Sequence, residues 1–202
     1  MSITLIFLII TGIISFSAFS NPKITSAFLF YPWSIKRENQ WYRFITYAFV
    51  HGDFMHLLIN MWVFYIFGSV VENSFIMIYG TNGKLYYILL YISGIIFSTF
   101  YSYARNKDNP NYSALGASGG VSAITFAYIF IFPLSSLYIF PFPFRIPAIV
   151  FGVLYLIYSW LMAKRGKDNI GHDAHFFGAL YGIVFMIILD YRFAILFWNT
   201  VF

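Results

Sequence analysis

Apolar residues run through this chain in six long blocks, near 2–20, 54–71, 85–103, 118–132, 147–163 and 174–190, separated by short polar stretches. At about 20 residues per crossing, the blocks predict six membrane helices. They leave no room for a separate soluble domain, so residues 1–202 read as one membrane unit. The first block is read as a retained span. Ala18-Phe19-Ser20 loosely resembles a cleavage site, but no Lys or Arg precedes the run, which is long for a signal peptide. Pro133, Pro141, Pro143 and Pro147 lie between the fourth and fifth blocks. Proline fixes φ and removes an N–H, so this stretch is a connection. The loops read as short, and the apolar tail Phe193–Trp198, too short to span, is expected at the interface.

Composition agrees with the pattern. Apolar residues make up 60% of the chain and charged residues 9%, against about 25% charged in a soluble domain. With so few charges and 26 Phe, the chain cannot cover a water-facing surface. The net charge of +5 suits anionic lipid headgroups as partners, and nothing beyond that charge points to nucleic acid. The absence of cysteine excludes disulfides, thiol catalysis and lipoprotein acylation.

Polar residues inside membrane blocks are costly and mark function. The four histidines, His51, His56, His172 and His175, all fall at or near helix starts. His56 and Asn60 are four residues apart and share a face of the second span. Glu72 lies roughly 18 Å further along that helix, towards the opposite membrane surface. Gly116-Ala117-Ser118-Gly119 opens the fourth span, and Ala174-His175-Phe176-Phe177-Gly178 opens the sixth.

On the sixth span, His175, Gly178 or Ala179, and Gly182 form one stripe, and small residues let helix backbones approach closely. Gly119, Gly120 and Ser122 offer a matching surface on the fourth, so contact there would bring His175 Nε2 towards Ser118 Oγ. Ser118 begins its helix, where unpaired N–H groups carry partial positive charge. An oxyanion beside it could accept from the Ser118 N–H and, if the second span packs alongside, from His56 and Asn60. The fourth block is short, so its start is expected below the membrane surface, with loop 104–117 dipping inward. That requires protein or water around the loop.

Other readings compete. A lone Ser in a membrane helix commonly bonds back to a carbonyl or aids packing. Residues 116–120 fit a G-x-S-x-G elbow, but no preceding strand is evident. His172, His175 and His56 could share a metal ion or haem, although no H-E-x-x-H occurs. Asp173 points nearly opposite to His175, and no third triad member is visible. On the residues alone, a hydrolase, a metal site and structural polarity all stay open.

The constellation resembles the rhomboid intramembrane serine proteases over roughly residues 41–190. Arg43 stands eight residues before His51, as in the family's Trp-Arg loop motif. His51 through Asn60 fits H-x4-H-x3-N, Glu72 follows at the family's spacing, and residues 116–119 fit G-x-S-G. Ala174-His175-x2-Gly178-x3-Gly182 fits A-H-x2-G-x3-G.

The resemblance implies an all-α, six-helix rhomboid-like bundle with a Ser118–His175 dyad, no catalytic acid, no cofactor and no metal. It assigns His56, Asn60 and the Ser118 N–H to the oxyanion site. Arg43, His51, Glu72, Gly116, Gly119, Gly178 and Gly182 have supporting roles. The implied substrates are membrane-anchored proteins whose transmembrane helix unwinds locally, exposing carbonyls that helical hydrogen bonds hide. The alternative is a catalytically inactive relative that binds membrane helices, although such relatives typically lack the Ser or the His.

Two departures stand out. Tyr42 occupies the motif's Trp position, with Trp41 adjacent. Four residues after the nucleophile some members carry a Tyr that stacks on the catalytic ring, whereas this chain has Ser122, so another group must position His175.

The family places the dyad on the non-cytoplasmic side, here expected in a bacterial plasma membrane. The loop charges oppose this. Lys23, Lys36, Arg37, Arg43, Arg105, Lys107, Lys164, Arg165 and Lys167 fall on the dyad side, and only Lys84, Arg145 and Arg192 on the other. The positive-inside rule would put the dyad side in the cytoplasm.

Overall fold

The computed structural model describes residues 2–138, 144–165 and 171–202. Pro141, Pro143 and Lys167 lie outside them. In chain order the helices are α1 (Ile3–Ser20), α2 (Pro22–Phe28), α3 (Pro32–Glu38), α4 (Arg43–Thr46), α5 (Phe54–Tyr79), α6 (Asn82–Ser98) and α7 (Phe100–Asn106). There follow α8 (Ser118–Ile131), strands β1 (Ser136–Tyr138) and β2 (Arg145–Pro147), α9 (Ala148–Arg165), α10 (His172–Leu189) and α11 (Arg192–Val201). Five segments are long and apolar enough to cross a membrane: α1, α5, α6 continued by α7, α9 and α10. The sixth, α8, has 14 residues and rises only about 21 Å, against a hydrocarbon thickness of about 30 Å. The chain is an all-α integral membrane protein, and its only sheet among the described residues is the β1–β2 hairpin.

The short helix is the centre of the bundle. From Gly119 to Ala127 every residue of α8 is buried, and α10, α6 and α5 pack around it. Most of the core follows this arrangement, with Phe64 and Tyr91 stacked at 4.5 Å between α5 and α6 and Ile95 and Ile124 fully buried. The lipid-facing helices instead expose large side chains, among them Ile9, Ile13 and Phe16 of α1 and Val153, Leu154 and Trp160 of α9.

Three sequence expectations need correction. The connection 21–53 is not a short loop, since it holds α2, α3, α4 and a 3-10 turn, Tyr47–Phe49. Pro22 and Pro32 start two of these helices, where the missing proline N–H costs nothing. The second span runs on past residue 71 to Tyr79, because polar Glu72 is buried against α1 rather than marking an end. The third breaks at Thr99 before resuming as α7. Apart from these three corrections, the apolar tail forms α11, which packs on α8 and α10 and buries Phe193.

Glu72 ties two distant segments together. Its carboxylate accepts from Ser2 Oγ at 2.6 Å, the Ile3 N–H at 2.7 Å, and Thr4 through both its N–H and its hydroxyl at 2.9 and 2.7 Å. The two N–H groups are first-turn donors of α1, which lack intrahelical acceptors and carry partial positive charge. Tyr87 of α6 joins through Thr4 at 2.8 Å.

Candidate functional site

The site gathers at the upper ends of α5, α8 and α10. Helices α8 and α10 approach to backbone contact. A Cβ added to Gly178 would lie 2.9 Å from the carbonyl carbon of Gly119 and closer still to its oxygen. One turn on, a Cβ at Gly182 would meet the carbonyl group of Ala123 in the same way. The facing pairs are thus Gly119–Gly178 and Ala123–Gly182. This corrects part of the matching surface expected on α8: Gly120 packs on Ile95 and Tyr91 of α6, and Ser122 bonds to α9. The close contact sets the first turns of α8 and α10 against each other, with the Ala174 carbonyl also near Gly119. Ser118 and His175 stand on those turns, and both are half-buried.

The segment before Ser118 is held by protein rather than by lipid. Ala114 and Phe30 exchange backbone hydrogen bonds at 2.8 and 3.0 Å, and the Gly116 N–H donates to the Tyr47 carbonyl at 3.0 Å. This is an isolated bridge, not a strand leading into a nucleophile elbow. Gly116 has φ +111°, a region that favours glycine, and a Cβ there would fall 2.7 Å from His56 Cε1. The glycine therefore lets the His56 ring lie against the loop two residues before Ser118.

His56 and Asn60 reach the site from α5, whose start is capped by Asp53 accepting from the His56 N–H at 2.8 Å. Asn60 is buried, and its Nδ2 donates to the His56 carbonyl at 2.9 Å. The amide carries a second N–H.

His51 lies off the helix and links three segments. Its Nε2 accepts from the Ala117 N–H at 3.3 Å, and Nδ1 lies 2.9 Å from Ser15 Oγ, which itself donates to the Phe49 carbonyl. Accepting at Nε2 places the proton on Nδ1 in the neutral ring. Burial, with His56 nearby, lowers the His51 pKa to about 3, partly opposed by Asp53. A neutral imidazole thus connects α1 to the residue preceding Ser118.

Arg43 is buried, donating to the Ser26 and Leu29 carbonyls at 2.9 and 2.7 Å. It holds the end of α2 against α4. Trp41 is half-exposed and stacks on Phe44 at 6.0 Å and 9°.

Several contacts at the site had no signal in the sequence. Ser98 of α6 packs directly on Gly119 and lies 3.3 Å from the Tyr47 hydroxyl. Asp173 accepts from Ser102 Oγ, which draws it towards α7. Tyr155 of α9 lies over the His175 ring, centroids 6.2 Å apart and planes 24° from parallel. With 17 Tyr in the chain, nothing marked Tyr155. Among the described residues, no three His, Asp or Glu side chains form a group that could hold a metal ion.

The Rhomboid domain family model matches residues 38–192. RHOMBOID-like protein 12, mitochondrial, of Arabidopsis thaliana is 32% identical over 150 residues, covering 67% of this chain and 42% of that protein. Presenilin-associated rhomboid-like protein A, mitochondrial, of Danio rerio is 28% identical over 67% of this chain and 34% of its own length. Rhomboid protease GlpG of Haemophilus influenzae is 26% identical over 76% of this chain and 72% of its own. The matched region thus spans less than half of the first two relatives. The family match over residues 38–192 takes in Arg43, His51, His56, Asn60, Glu72, Ser118 and His175 together, and the chain belongs to the rhomboid family.

Proposed function

We propose that the protein is an intramembrane serine endopeptidase acting through Ser118 and His175 on transmembrane segments of membrane-anchored proteins. The observation that carries this reading is the backbone contact of Gly119 with Gly178, which sets the hydroxyl and imidazole helices against each other. In the proposed reaction His175 takes the Ser118 proton as Oγ attacks the scissile carbonyl. The imidazolium then protonates the leaving amine, and water hydrolyses the acyl-enzyme. The developing oxyanion lies at the start of α8, where the Ser118 N–H is a first-turn donor. His56 and Asn60 supply side-chain donors from α5. The half-buried state of Ser118 and His175 supports access for water and an unwound substrate strand.

Fluorophosphonate labelling of the detergent-solubilised protein tests the reading. Labelling is expected in the wild type and lost in both Ser118→Ala and His175→Ala. A folded wild type that does not label would replace the protease with an inactive, helix-binding relative.

The dyad is placed on the non-cytoplasmic side, against the loop-charge count. Several counted charges are engaged in structure, which weakens their report on topology: Lys36 pairs with Asp108 at 2.6 Å, Arg37 lies over Trp33 at 3.9 Å, and Arg43 is buried. Two of the relatives are named mitochondrial, so a bacterial plasma membrane is not favoured by those names. With no native cysteine, Asn109→Cys and Ser136→Cys should react with an impermeant maleimide from opposite sides, Asn109→Cys from the non-cytoplasmic one. The reverse pattern would overturn the orientation.

A further inference from the structure

A general base that must first accept and then return a proton needs its ring plane held. Histidine χ2 is a broad torsion that does not hold itself. The Tyr155 ring lies over His175 in an offset, nearly parallel arrangement at 6.2 Å and 24°, within the attractive range for aromatic pairs. Its hydroxyl is fixed in turn, 2.6 Å from Ser122 Oγ. Ser122 lies one turn beyond Ser118 on the same face of α8. The tyrosine therefore faces the base with its ring and bonds to the nucleophile's own helix through its hydroxyl.

The rest of the ring's surroundings hold it in that pose. Phe126 of α8 and Phe151 of α9 pack on it at 5.6 and 5.8 Å. Gly152, one turn earlier on α9, lets that helix settle on Ile129 and Phe126. One turn earlier on α10, the His172 ring meets His175 edge-on at 5.8 Å.

Resting on the hydrolase reading above, we propose that Tyr155, held by Ser122, is the positioning residue for His175. It does from α9 what a tyrosine four residues after the nucleophile does in some relatives. The small Ser122 side chain leaves room for the ring, and its hydroxyl supplies the fixing bond. The base is thereby held across a contact between two helices. One of these, α9, buries only Ala148, Gly152 and Ser159 among its described residues.

The test uses the full-length protein in detergent or vesicles, with cleavage of a transmembrane substrate and the rate of fluorophosphonate labelling as readouts. Tyr155→Leu, which removes the ring, should lower kcat and the labelling rate about tenfold while KM stays within about twofold. Tyr155→Phe keeps the ring and should recover most of that loss, falling only about two- to fivefold below wild type. Ser122→Ala should match Tyr155→Phe, and the double variant should be no worse than either, because all three remove one bond. A purely structural role would lower melting temperature without this kcat-against-KM split. Wild-type kcat in Tyr155→Leu would overturn the proposal. Should Tyr155→Leu fail to fold, fully additive losses in Tyr155→Phe and Ser122→Ala would do the same. A labelling wild type with an indifferent Tyr155 sinks the positioning role alone, whereas an inert wild type sinks the hydrolase reading beneath it.

Discussion

Adding one methyl group at Gly178 is a sharp test of how the site is assembled. The new Cβ would stand 2.9 Å from the Gly119 carbonyl carbon and 3.1 Å from its Cα, whereas carbon atoms settle at about 3.5–4.0 Å. The obstacle is backbone in the middle of a helix contact, so no side chain can turn aside. Helices α8 and α10 must part by about 1 Å, an overpacking cost of about 1–3 kcal/mol. His175 lies one turn before Gly178 and Ser118 next to Gly119, so nearly the whole displacement appears between them. A misplacement of about 1 Å costs about 100-fold in rate. Gly178→Ala should therefore remain folded with a lowered melting temperature and lose about 100-fold in substrate cleavage and fluorophosphonate labelling. Gly12→Ala is the control, since nothing lies within 4 Å of its added Cβ. It should keep full activity. Wild-type labelling in Gly178→Ala would refute the idea that this contact sets the dyad.

Three other predictions follow from the same geometry. His56→Ala and Asn60→Ala should each lower turnover by about 10–1000-fold with melting nearly unchanged, and full turnover in both would remove them from the oxyanion site. His51 has a folded pKa of about 3, well below its ordinary value, so folding favours the neutral ring. Its contribution is complete above about pH 6.5 and is lost as pH falls towards 3, amounting to about 2 kcal/mol between pH 7 and 5. Denaturation in detergent should show that slope in the wild type and a flatter one in His51→Gln, and identical slopes would contradict the assignment. Glu72→Gln puts an amide among four donors and should cost about 2 kcal/mol or more, read as a melting decrease of several degrees. An unchanged melting point would mean that the carboxylate is not needed there.

Much of this architecture was legible in the chain because lipid imposes a simple rule. Spans near 2–20, 147–163 and 174–190 fall within two residues of α1, α9 and α10. The short fourth block is a short helix, and the glycine stripe of the sixth span does meet the fourth. Long-range polar contacts were not legible. Glu72, Asn73 and Ser74 lower the hydropathy of α5 as a helix end would, yet the helix continues because Glu72 bonds to residues about 70 positions earlier. The connection 21–53 escaped for a different reason. Helices of four to seven residues are too short to show a hydrophobic period and are held by single contacts such as Arg43 on the Leu29 carbonyl. Tyr155 escaped because an aromatic residue in an aromatic-rich span looks like any other lipid-facing residue until a neighbouring helix is placed beside it.

The carboxylate of Glu72 also sets an order of events during synthesis. Its partners Ser2, Ile3 and Thr4 leave the ribosome about 68–70 residues ahead of it, and at roughly 5–20 residues per second the interval is about 3–14 s. Throughout that interval the first turn of α1 has no protein acceptor from Glu72, so it must stay where water can reach it. The arrival of α5 then withdraws this end from water and fixes the depth of α1. The start of α1 is thus completed only by a residue of α5 made 68–70 positions later.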